Sequence, residues 1–116
     1  MGIAAGRLRH VLRFERQAQT TNSQGETATE WQTVAQVRAE IRPMNSRELF
    51  AAEQIRSECT NVIVMRYRSD INATLRAVEL VNGQPGTIYN ISAPVRDPDS
   101  GREWMSVPCT SLLNQG

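Results

Sequence analysis

The sequence contains no lysine: all 13 of its basic residues are arginine. Arginine presents a planar fork that matches carboxylate or phosphate, so this choice biases the chain toward fixed, two-pronged contacts. Against 12 acidic residues the formal net charge is only +1. A field that weak does not by charge alone imply binding to nucleic acid or to a membrane, so partners have to be argued locally. Catalytic chemistry is equally scarce. With one histidine, two cysteines and acids scattered singly, the chain offers no acid–base pair, nucleophile–base pair or metal-ligand spacing. Cys59 and Cys109 therefore read as two reduced, partly buried thiols, and His10 as a satisfied or peripheral imidazole. The glycines fall at turns and form no phosphate-cradling loop, so no cofactor is expected. Asp97-Pro98-Asp99-Ser100-Gly101 lacks the oxygen spacing and closing glutamate of a calcium loop and reads as a turn. No apolar run approaches the ~20 residues of a membrane span. The start has neither a signal-peptide core nor, with Gly6, a myristoylation site, so we expect an unexported, unlipidated chain.

What the 116 residues do contain, 40% of them apolar, is enough for one domain covering residues 1–116. Leu8 to Gln17 alternates, setting Leu8, His10, Leu12 and Phe14 against Arg9, Val11, Arg13 and Glu15, the period of a half-buried strand. Ala18 to Thr27 is polar throughout and reads as an exposed hairpin loop. From Glu30 a second strand places Trp31, Thr33, Ala35, Val37, Ala39 and Ile41 on one face and stops at Pro43.

A helix is predicted over Ser46–Ser57: Asn45 can cap it and Glu48 can close a capping box. Its apolar stripe of Leu49, Phe50, Ala52 and Ile55 is interrupted by Glu53 and Arg56, so the helix has to dock on something. Thr60 to Arg68 is β-branched with apolar residues on both faces, which suits a central strand. Leu75 to Val81 and Ile88 to Ile91 flank a hairpin signal at Asn82-Gly83-Gln84-Pro85-Gly86. Glu103 to Leu113 supplies the last strand, with Pro108 pointing to an edge or a bulge. The sum is mainly β, six short strands and one helix with frequent turn signals, the pattern of a small antiparallel barrel or sandwich.

Arg7, Arg9 and Arg13 precede the first acid, Glu15, and Arg66 and Arg68 flank Tyr67. They are the residues on which a small nucleic-acid-binding barrel would rest. Aromatics make up only 5% of the chain, few for a base-stacking platform, and the same arginines suit carboxylates on a neighbouring protein.

The order of features is similar to that of the phage head-tail joining family, the small connector or head-closure proteins of tailed bacteriophages. The likeness rests on Ala5-Gly6-Arg7-Leu8-Arg9-His10, Arg13-Phe14-Glu15-Arg16, Gly25-Glu26 and Trp31. It continues through Val37 to Pro43, Ser46-Arg47-Glu48, Ala52-Glu53-Gln54 and Val64-Met65-Arg66-Tyr67-Arg68. Val81 to Thr87 is longer than the family's usual tight hairpin, and Val107 to Gly116 replaces a short charged ending. The resemblance implies a mainly β fold, a small six-stranded antiparallel barrel with one helix-bearing insertion between strands 2 and 3, in a structural, non-enzymatic virion protein of the neck, made in the host cytoplasm. It implies assembly as a ring, usually of twelve copies, between a portal or adaptor ring above and a tail-side protein below. DNA would pass through its channel without sequence-specific binding, the ring acting as adaptor or stopper. On this reading Arg7, Arg9 and Arg13 contact the ring above or adjacent subunits. Arg47, Glu48, Phe50 and Glu53 dock on partners or face the channel, and Arg66 and Arg68 add to the partner interface.

Overall fold

A computed structural model describes residues 8–96 and 103–111. The elements are β1 (His10–Thr21), β2 (Thr27–Pro43), α1 (Ser46–Gln54), β3 (Asn61–Arg66), β4 (Arg76–Val81), β5 (Gln84–Ile91), β6 (Val95–Arg96) and β7 (Trp104–Ser111). The sheet runs β3-β2-β1-β4-β5-β7, and β7 pairs again with β3, so six antiparallel strands form a ring-like sheet. The two-residue β6 adds to β7, and α1 lies between β2 and β3 as expected. Inside the ring Leu12, Phe14, Ile63, Met65, Val107 and Cys109 are fully buried. The β-branched run in β3 is buried at Val62, Ile63, Val64 and Met65, as a strand paired at both edges requires.

Four expectations are corrected. First, the stretch Ala18 to Thr27 is not a loop. β1 and β2 continue pairing from Ala18↔Glu30 to Thr21↔Thr27, forming an arm that turns only at Asn22–Glu26. Polar threonine- and alanine-bearing strands satisfy their backbone groups in the ladder without an apolar face. Asn22 Oδ1 closes the turn by accepting from the amides of Gln24 and Glu26, and Gly25 supplies a φ of 83°.

Second, Trp31 and Thr33 do not share the inward face of Ala35 and Ala39. Phe14 pairs with Ala35 but Glu15 pairs with Thr33, which leaves Val34 as a bulge residue. One extra residue on β2 flips every side chain beyond it, and Trp31 is 39% exposed.

Third, Pro108 does not lie on an edge strand: β7 pairs with β3 on one side, Pro108 opposite Val62, and with β5 and β6 on the other. Its carbonyl accepts from Ser92 N at 2.8 Å, so its nitrogen faces the same way, into the gap between β5 and β6. No ladder bond is lost there.

Fourth, the hairpin at Val81 to Thr87 is tight after all. Asn82 (φ 52°) and Gly83 (φ 78°) make a two-residue turn, and Gln84, Pro85 and Gly86 belong to β5.

Candidate functional site

Among the described residues, charged side chains gather in two surfaces and one network. The network is on the outer face of β1, β2 and β4. Glu15, only 4% exposed, accepts from Arg13 Nε at 2.7 Å and from Arg76 Nε at 2.9 Å. The Arg76 guanidinium stacks on Trp31, 3.9 Å from the ring centroid. Arg13, expected at a partner interface, is thus held by its own chain. No sequence spacing announced this cluster, because Arg76 lies 61 residues from Glu15. His10, at the start of β1, meets Glu79 through Nδ1 at 2.6 Å, the satisfied role expected of it.

The first surface is α1. Its capping box forms as predicted: Asn45 Oδ1 accepts from Glu48 N and Glu48 Oε1 accepts from Asn45 N, both at 2.9 Å. Arg42 then donates to both carboxylate oxygens of Glu48, at 2.7 and 2.9 Å. That side-chain pair, reinforced by the Asn45 amide, holds the Glu48 carboxyl down at about 2. Glu48 is therefore a positioning residue that fixes the helix to the end of β2.

The helix stops earlier than expected. Ser57 N reaches Ala52 O and Arg56 N reaches Glu53 O, a Schellman closure with Arg56 at φ 56° where glycine is usual. Only Ala52 of the helix is buried. Phe50 and Ile55 are 64% and 77% exposed, and Leu49 is 39% exposed. Arg47 and Glu53 are exposed beside them. Under the helix a mostly apolar groove of about 360 Å³ runs between Ala52, Ile55, Val62, Val95 and Pro108.

The second surface is a concavity of about 450 Å³ lined by Leu8, Val37, Arg38, Arg66, Tyr67 and Arg68. It brings Arg66 and Arg68 together and adds Arg38, which sequence reasoning missed. Arg68 is engaged two-pronged by Asp70, at 3.0 and 2.9 Å, and each raises the other's charged form. Arg66 lies over Trp104, 5.2 Å from the ring centroid. Arg9 is exposed nearby in sequence, just before β1, whereas Arg7 and the turn at Asp97–Gly101 lie outside the described residues. Among the described residues no three of His, Cys, Asp and Glu are grouped to hold a metal ion. Cys59 and Cys109 are free thiols, and burial pushes that of Cys109 up to about 12, so it is no nucleophile.

Two exposed surfaces and an ion-pair network are thus what the described residues present. A Shigella flexneri 2a protein solved in solution superposes with a TM-score of 0.75 at 26% identity, covering 97% of this chain and 100% of that one. A chain in the virion of a native gene transfer agent particle is a more distant match, with a TM-score of 0.49 and 16% identity over 90% of this chain and 96% of that one. None of the curated proteins matches. Residues 3–112 match the family described as phage head completion protein, a structural family, and the chain belongs to it.

Proposed function

We propose that the chain is a ring subunit of the virion neck, seated between the portal side and the tail. There it continues or closes the DNA channel as an adaptor or stopper. Within the virion the ring-like sheet acts as a rigid barrel, and the arm and α1 reach neighbours. The observation that carries this reading is the arm. Residues 21–33 are exposed on both faces of a two-stranded ribbon with no core of its own. A lone hairpin is marginal in water, so a long one makes physical sense when another surface covers it.

The helix supports the same reading. Phe50 and Ile55 each contribute about 1.5–3 kcal/mol when fully buried, and on the free chain neither is. Arg47 and Glu53 at the rim of that patch would give register to a partner above or below the ring. In the free chain the arm and α1 exchange amide hydrogens readily; in the neck both become protected.

A second reading, a small nucleic-acid-binding domain, draws on the arginine concavity. It requires affinity for free DNA that falls steeply with salt, whereas a channel lining lets DNA slide and holds free duplex weakly. Micrographs of particles made without this protein test the proposal. Filled or leaking heads lacking tails are expected, and normal tailed particles would refute it.

A further inference from the structure

Near the two ends of β2 the molecule exposes charge of opposite sign. Between Arg16 and Arg38 the only charged residues are Glu26 and Glu30, so the arm is purely acidic. Both are exposed; Glu26 accepts from the Asn22 amide side chain, and among the described residues no cation pairs with either. At the other end Ala39 pairs with Met65, and continuing that register by one residue sets Arg38 beside Arg66. Two guanidiniums on facing positions repel one another, and among the described residues no carboxylate pairs with either. They sit at a concavity floored by Leu8, Val37 and Tyr67.

The two patches cannot meet within one chain. Eight residues of strand hold Glu30 about 25 Å from Arg38, and the ladder with β1 prevents β2 from folding back. Complementary patches that are different and fixed apart on one molecule make a head-to-tail contact, the kind that closes into rings. We propose that the arm of one copy docks through Glu26 and Glu30 on the Arg38–Arg66 concavity of the next. This inference rests on the ring reading and specifies its interface.

The absence of lysine supplies the probe. In particles carrying the Arg66→Lys variant, a carbodiimide joins the new amine to a carboxylate in direct contact, with no spacer. The expected product is a ladder of cross-linked copies in which position 66 is bonded to Glu26 or Glu30 of a neighbour. The ladder disappears when Glu26→Gln and Glu30→Gln are added. A bond from position 66 to a different virion protein, or no bond in particles whose neck contains the chain, overturns the inference and leaves the ring intact. Particles whose neck lacks the chain overturn the ring reading itself.

A charge exchange tests the same contact independently of the cross-link. Glu26→Arg with Glu30→Arg should lower incorporation about tenfold or more by like-charge contact. Adding Arg38→Glu and Arg66→Glu should restore it. A nucleic-acid contact at the concavity could not be rescued this way, since the second pair removes its cations; failure of rescue therefore overturns the inference.

Discussion

Glu15 on β1 and Arg76 on β4 meet at 2.9 Å across adjacent strands, and the carboxylate that Arg76 grips is the same one that holds Arg13. Glu15 thus ties one strand to the next and aims Arg76 at Trp31. Removing it leaves two arginines, both partly buried, without their shared anion.

Glu15→Ala should accordingly cost about 2–3 kcal/mol of stability, the range for breaking a charge-assisted pair and stranding its partners. Denaturant unfolding measures the loss, and the Trp31 emission should shift as Arg76 leaves its ring. An unchanged midpoint would mean that the pair is ornamental.

The Glu48 carboxyl, held down at about 2 from an ordinary 4.5 by Arg42, makes a pH-dependent contribution. Its pKa is depressed on folding, so the stabilisation is complete above about 4.5 and drains away as the pH falls toward about 2. Comparison with Glu48→Gln isolates it. The parent chain should hold an advantage of about 1 kcal/mol at neutral pH that vanishes near pH 2, and a constant difference would contradict the assignment.

Arg56 occupies the left-handed position after α1 at φ 56°, where a side chain is strained and glycine is not. Arg56→Gly should stabilise the chain by up to about 1 kcal/mol, seen as a rise of a few degrees in Tm. A lower Tm would show that the arginine side chain makes up for its backbone strain.

Much of this architecture was legible in the sequence for local reasons. The Asn45–Glu48 box, the place though not the tightness of the hairpin at Asn82-Gly83, and the β-branched run of β3 are each specified by residues a few positions apart. The failures arise where a distant strand decides. Val34 is a bulge only because of how β1 pairs with β2, and that choice moved Trp31 to the outside. The end of α1 was hidden because its closing residue is Arg56 rather than glycine, and the arm because polar strands leave no hydrophobic period to read. Of the concavity's arginines, Arg66 and Arg68 stand out in the sequence beside Tyr67, whereas placing Arg38 with them takes the β2–β3 register.

Thiol labelling gives a quick test of the packing. Cys109 is fully buried with its pKa pushed up to about 12, whereas Cys59 is only half-buried. At pH 8 one thiol should react in the native chain and the second only on unfolding. Equal rates would contradict the closed core around Val107 and Cys109.

The most direct measurement is electron cryomicroscopy of the intact virion at a resolution that traces strands. The six-stranded domain should appear as a closed ring at the junction of head and tail, with each arm lying on the neighbouring copy. Finding the chain elsewhere in the particle, or outside it altogether, would contradict the assignment to the neck.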